Sequence, residues 1–341
     1  MIIDAYNHIL PPKYQDTLEK KAAGRDMSLP SSNWAKTVPT LLDLEARFRI
    51  MDDFEGYIQV ISIASPPTYS LVSAPLAVEL CRIANDEMAE LVHKYPERFA
   101  AGIATLPMND PDASVTEAVR SIKELRLRGV EIYTDICGKP PDAPEFIPLY
   151  QKMEELGRPV FIHPRGLAST PDFEGESHSR YRLWTKLRWP YATAMAMCRL
   201  VYSGIMERFP GLKVVTHHCG GFIPYLAGRL DWADDVNEMQ MGQRDIDLKE
   251  HALTYFRRFF YDTAVSGNTA SLLCARSFAG IDQILFGTDA HFDNQYGRRH
   301  IRQAIEAVEG MGLDDRDKKK VYQDNAIKLL RLPLGFPLEV P

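Results

Sequence analysis

Hydrophobic and polar positions alternate between two regimes along the 341-residue chain. Short runs rich in β-branched and aromatic residues, bounded by turn residues, predict eight strands. They are Ile2–Tyr6, Tyr57–Ala64, Ala100–Thr105, Gly129–Thr134, Pro159–His163, Lys213–His217, Phe259–Thr263 and Gln283–Gly287. Most are apolar on both faces, as parallel strands covered on both sides must be. Between them, apolar residues recur at helical spacing over Leu42–Phe54, Leu76–Lys94, Ser114–Arg126, Glu145–Leu156, Ala192–Arg208 and Ser271–Phe278. Arg298–Glu309 and Asp315–Leu330 follow the last run. Ser114 and Glu117 have the spacing of a capping box, and Tyr95-Pro96 and Phe209-Pro210-Gly211 read as helix stops.

Strand and helix thus alternate around the chain, the pattern of an α/β protein built as a (β/α)8 TIM barrel. One domain over residues 1–332 is expected, followed by an extended, proline-rich tail at Pro333–Pro341. No glycine-rich dinucleotide fingerprint follows the first run and no phosphate-binding P-loop occurs, which disfavours nucleotide-binding doubly wound folds. Two connections exceed an ordinary βα loop, Leu10–Thr40 after strand one and Pro164–Pro190 after strand five. Long loops of this kind are usually lids or binding loops.

Composition narrows the function. An apolar fraction of 45 % is ample for a core and excludes disorder as the dominant state. A net charge of −6 argues against nucleic acid or a membrane surface as partner. No apolar stretch approaches the ~18 residues of a membrane helix, and Met1–His8 lacks the basic start of a signal peptide. Five scattered cysteines without a C-x-x-C pair suit reduced thiols in a cytoplasmic enzyme.

The placement of histidines is more informative than their number. His8, His163, His217 and His218 fall at or just past the ends of the first, fifth and sixth runs, and Asp289 lies two residues past the eighth. A parallel barrel brings those ends to one face, where active sites are found. Imidazoles with one carboxylate suit a divalent transition metal, zinc before manganese, with a coordination position left open. Trp34, Trp184, Trp189, Tyr133 and Phe292 fall in or near the rim loops and are candidates to wall a flat substrate. Asp262, at the end of the seventh run, is placed to orient a histidine or to bond within the barrel.

Five segments together carry a family resemblance. They are Ile3-Asp4-Ala5-Tyr6-Asn7-His8-Ile9-Leu10-Pro11, Phe161-Ile162-His163-Pro164, Glu207-Arg208-Phe209-Pro210-Gly211-Leu212-Lys213, His218-Cys219-Gly220-Gly221-Phe222-Ile223-Pro224 and Phe286-Gly287-Thr288-Asp289. The chain resembles the amidohydrolase superfamily from Ile2 to about Leu330, in the branch of amino-carboxymuconate-semialdehyde, γ-resorcylate and 5-carboxyvanillate decarboxylases. The resemblance implies His8, His163 and Asp289 as metal ligands, and His218 as the histidine that works on metal-bound water with help from Asp289. The branch's first strand usually ends in His-x-His. Here Tyr6 stands at the first position, either adding a phenolate or filling the space. His217 receives no role and is expected to point into the barrel wall. Strand four carries no lysine, so a two-metal site is not expected.

Two arginines follow from the same resemblance. Arg49, the second arginine of Arg47-Phe48-Arg49, would grip a substrate carboxylate. Arg229 would enter the active site of a neighbouring subunit, making a homodimer the working unit. The implied activity is metal-dependent, non-oxidative decarboxylation of a small aromatic or unsaturated carboxylic acid. Two rivals stand beside it: a hydrolase or hydratase using metal-activated water at the same site, and a barrel that lost its metal with the change to Tyr6 and only binds a small acid.

Overall fold

The computed structural model describes residues 1–22, 37–241 and 248–333. Among them are nine parallel strand segments: β1 (Ile2–Ile9), β2 (Tyr57–Ile63), β3 (Phe99–Gly102), β4 (Ala104–Thr105), β5 (Val130–Tyr133), β6 (Val160–His163), β7 (Val214–Thr216), β8 (Phe260–Asp262) and β9 (Ile284–Leu285). The ladder runs in chain order through β1-β2-β3 and through β4 to β9. β3 and β4 are one barrel strand interrupted at Ile103, whose N–H still donates to the Ile61 carbonyl at 2.9 Å. The ring closes where β1 meets the segment after β9: Ala5 N–H donates to Phe286 O at 2.8 Å, and Thr288 and Asp289 N–H both donate to Tyr6 O at 3.2 and 3.1 Å. Eight parallel strands closed in this way form the predicted TIM barrel.

Buried apolar residues divide between the two faces of the strands. Ile3, Ala5, Val60, Phe161, Val215 and Leu285 fill the barrel interior with Ile327, Leu329 and Leu330 of the helix Asn325–Leu330. Arg158, just before β6, donates to the carbonyl of Leu330 at 2.7 Å, so this last helix plugs the end where the strands begin. The opposite end stays open for chemistry. Among the described residues no helix is long and apolar enough to cross a membrane.

Several element ends differ from expectation. The first strand continues to Ile9, so His8 lies inside it. The capping box at Ser114 and Glu117 does not form. Pro111 at the first helical position starts the helix Pro111–Lys123 three residues earlier, and Asp110 caps it by accepting the Ala113 N–H at 3.0 Å. Glu117 turns inward instead, to Asn85 and Arg120. The pattern over Ala192–Arg208 is broken after the helix Trp189–Tyr202, where Gly204 takes a φ of 77°. Trp34 and the tail beyond Pro333 lie outside the described residues.

Candidate active site

Strand periodicity places the histidines. Phe161 and His163 share one face of β6, and Val215 and His217 share one face of the strand that ends at Thr216. Phe161 and Val215 point into the barrel, so period-2 alternation carries the two histidines to its mouth. His8 arrives from β1. Asp289 comes from the turn after β9, where it holds the left-handed conformation, φ 56°, through the bond of its N–H to Tyr6 O. One ligand atom from each of His8, His163, His217 and Asp289 lies within 4.8 Å of the others. The three expected ligands, His8, His163 and Asp289, thus come together, and His217, expected to face the wall, stands with them.

These residues fit a divalent metal. The Nε2 atoms of His8 and His217 are buried without a hydrogen-bond partner, each 3.4 Å from Asp289 Oδ1. The other nitrogen of each ring is engaged: His8 Nδ1 with Ser62 Oγ at 3.1 Å, His163 Nδ1 with the Pro164 carbonyl at 2.7 Å, and His217 Nδ1 in a short contact with Asp262. Such outer partners fix the tautomer and turn the Nε2 lone pair toward a shared ion. Burial pulls His8 and His163 below the usual histidine range, so both rings are neutral donors. Burial acts the same way on His217, but Asp262 and Asp289 outweigh it and lift the ring to about 10. Burial likewise opposes ionisation of Asp289, and the charge of His217 overrides it, holding the carboxyl well below its usual range. Without an ion, a proton on His217 occupies the place between two carboxylates.

His218 occupies different ground. Four successive residues, His218, Cys219, Gly220 and Gly221, have φ of 52°, 54°, 71° and 62°. A side chain at Gly221 would meet the Pro190 carbonyl at 2.0 Å, so only glycine closes this turn. The turn stacks the His218 ring on His217, centroids 4.0 Å apart, and near-parallel to Trp189 at 6.2 Å. Its Nδ1–H donates to Ala264 O at 3.2 Å, leaving Nε2 as an acceptor. Burial, with the charge on His217, lowers the ring to about 4.

A cavity of about 1070 Å³ opens above the cluster, with His163, His218, Asp289, Trp184, Trp189 and Phe292 among its walls. Of the other rim aromatics, Tyr133 stands behind the site with its ring 4.9 Å from that of His163. A model of the amidohydrolase family matches residues 67–332 of the chain. The chain belongs to the amidohydrolase family. It is 30 % identical over 324 residues to a γ-resorcylate decarboxylase of Polaromonas sp., a match covering 89 % of this chain and 92 % of that protein. It is 28 % identical over 344 residues to the 2-amino-3-carboxymuconate-6-semialdehyde decarboxylase of Dictyostelium discoideum, covering 97 % and 91 %. Among solved structures, a dihydroxybenzoic acid decarboxylase of Polaromonas sp. with bound manganese and the inhibitor 2-nitroresorcinol superposes with a TM-score of 0.79. The identity there is 27 %, over 99 % of both chains. These relatives are decarboxylases, as the resemblance to that branch implied.

In this amidohydrolase the expected arginine is displaced. Arg49 lies on the last turn of the helix Leu44–Met51, with its side chain 69 % exposed beside Glu45 and outside the cavity wall. Arg47, two residues earlier, is fully buried. It donates from Nε to Thr40 O at 3.0 Å, from Nη1 to Gln59 Oε1 at 2.7 Å and Asn7 Oδ1 at 3.3 Å, and from Nη2 to the His8 carbonyl. Helical residues lean toward the helix start, so Arg47 reaches up the barrel and clamps the main chain that carries His8. Arg165, two residues after His163, lines the cavity while paired with Asp135 at 2.7 Å. Arg229 is exposed on the helix Ile223–Met241, 5.9 Å from the Trp232 ring, and does not line this chain's own cavity.

Proposed function

We propose that this amidohydrolase is a metal-dependent, non-oxidative decarboxylase of aromatic carboxylic acids, with hydroxybenzoates as its first candidate substrates. The observation that carries the reading is the set of four convergent donors at the floor of a cavity walled by Trp184, Trp189 and Phe292, with His218 beside them. His8, His163, His217 and Asp289 would hold the ion. Zinc was the expectation from the donor types; the manganese in a relative at 27 % identity makes manganese the first choice. Bound there, the ion would supply a Lewis acid for the substrate's oxygen groups.

The chain's own residues do the rest. Trp184, Trp189 and Phe292 sandwich the ring and exclude water from it. Arg165 offers the cavity a guanidinium for a second oxygen group. His218, neutral and hydrogen-bonded through Nδ1, takes a proton from solvent at Nε2 and delivers it to the ring carbon that bears the carboxylate. Asp289, in the same cavity wall, favours the cationic stage of that imidazole. The new C–H bond interrupts the aromatic system. The bond to the carboxylate carbon then breaks, its electron pair restores the ring, and carbon dioxide leaves.

The partner contribution fits a second copy of the chain. Tyr225 and Trp232 on the helix Ile223–Met241 are 81 % and 57 % exposed, on the same side as Arg229. Such a stripe beside the cavity suits a two-fold interface that delivers Arg229 to the neighbour. A cytoplasmic setting belongs to the same reading, because all five cysteines are unpaired.

The test is carbon dioxide release by the manganese-loaded protein from 2,6-dihydroxybenzoate, 5-carboxyvanillate and 2-amino-3-carboxymuconate-6-semialdehyde. The reading predicts stoichiometric release from at least one acid, lost in Asp289→Asn. Turnover without carbon dioxide would replace it with a hydrolase or hydratase.

A further inference from the structure

Glu131 has no place in the scheme above, yet it is a carboxyl group buried inside the barrel at 3 % exposure. It sits on β5 between Val130 and Ile132, and among the described residues it makes no ion pair. A carboxyl buried without a cation is costly unless something uses it. What faces it is specific. Ser62, on β2, places Oγ 3.2 Å from Glu131 Oε1 and 3.1 Å from His8 Nδ1. The Tyr6 hydroxyl, also buried, faces the same carboxyl.

With His8 Nε2 given to the ion, the chemistry of this chain of contacts has one direction. The Ser62 hydroxyl owns a single hydrogen and has three acceptors in range, Glu131 Oε1 and the Asn7 carbonyl at 3.2 Å and His8 Nδ1 at 3.1 Å. With the hydrogen turned to Glu131 or Asn7, an Oγ lone pair faces His8 Nδ1; turned to His8, it makes Nδ1 an acceptor and leaves the ring proton on Nε2. A His8 that gives a bare Nε2 to the ion carries its proton on Nδ1, so the hydroxyl hydrogen has to point to Glu131 or Asn7. We propose that Glu131 is a positioning residue of the metal site, acting on His8 through Ser62. Glu131 aims the hydroxyl, and the hydroxyl sets the tautomer and the plane of the ring. Glu131 is the side-chain acceptor that, with the Asn7 carbonyl, draws the hydroxyl away from His8; an amide oxygen serves as well as the carboxyl, and an aliphatic side chain leaves the hydrogen freer to turn to His8 Nδ1. The inference rests on the reading that His8 Nε2 holds the ion.

The test compares Ser62→Ala, Glu131→Gln and Glu131→Leu with the wild-type protein in manganese titrations followed by calorimetry. Outer partners of metal-bound histidines are worth about 10–100-fold in affinity. Ser62→Ala and Glu131→Leu are expected to lose affinity in that range, and Glu131→Gln to stay within about threefold of wild type. In parallel, 15N shifts of His8 in the metal-free proteins report the tautomer directly: Nδ1–H in wild type and Glu131→Gln, a mixture in Ser62→Ala. Wild-type affinity in either Ser62→Ala or Glu131→Leu, or an unchanged His8 tautomer in Ser62→Ala, overturns the inference. So does a loss confined to Glu131→Leu, which would mean that the carboxyl acts by another route. If Glu131→Leu does not fold, Ser62→Ala and the shifts still decide. A wild-type protein that binds no manganese would refute the metal reading instead, and the tautomer measurement would remain valid.

Discussion

The ring of Tyr6 lies against that of His217, with centroids 4.0 Å apart and planes tilted by 30°. The residue that replaces the usual first-strand histidine therefore packs on the histidine that completes the donor cluster. The two positions account for each other: a phenol at position 6 supplies a wall, and the imidazole opposite supplies the fourth donor. His217→Ala is expected to lower manganese affinity by about 10–100-fold or more, the scale seen when a metal site loses a supporting group. Adding Tyr6→His to that variant should recover most of the loss, because an imidazole then returns to the site from β1. Calorimetric titration of the single and double variants checks this. A double variant no better than His217→Ala would show that the positions do not compensate.

Arg47 and Arg49 should behave oppositely. Arg47→Ala removes one partner from four buried contacts, including that to the His8 carbonyl. A loss of about 3–5 kcal/mol in folding stability is expected, as for other broken buried polar networks. Arg49→Ala alters an exposed side chain beside Glu45, so stability should stay within about 0.5 kcal/mol and kcat/KM should not change. Urea unfolding and steady-state kinetics on both variants check the pair.

Ion uptake should release a proton. His217 is lifted to about 10 by Asp262 and Asp289 in the ion-free protein, so at neutral pH its ring is charged. A metal ligand must be neutral, and the ion therefore displaces that proton. The folded, ion-free state keeps the proton below pH 10, so apparent affinity rises with pH, by about tenfold per unit between pH 6 and 8. Calorimetry in buffers of different ionisation enthalpy counts the proton. A count near zero would mean that His217 is already neutral or stands outside the coordination sphere.

The oligomer is testable through Trp232 and Arg229. Trp232→Glu places a charge in the exposed stripe and should yield a monomer by sedimentation velocity, with activity reduced at least tenfold if Arg229 serves a neighbour. Mixing inactive Arg229→Ala with an inactive Asp289→Asn variant should restore part of the activity. No recovery in mixed dimers would place Arg229 outside the site.

Much of the barrel was legible because parallel strands covered on both faces are apolar on both, a signal that needs no partner to be seen. The same strands put His8, His163 and Asp289 at one mouth. His217 was misread although the clue was present: alternation from the inward Val215 places it inward. The choice between Arg47 and Arg49 depended on helix phase. A segment match cannot give that phase, whereas the lean of side chains toward the helix start can. Ser62 and Glu131 were out of reach, because nothing in a strand's pattern says that two polar residues on different strands share a hydrogen with a third. The capping box failed for a local reason: Asp110-Pro111 is the stronger start and lies just upstream.

The most direct test of the account is anomalous diffraction at the manganese edge from crystals of the manganese-loaded protein. The account predicts one strong peak within about 2.0–2.3 Å of His8 Nε2, His163 Nε2, His217 Nε2 and an Asp289 carboxylate oxygen. No peak among these four, or a peak bound elsewhere, would contradict it.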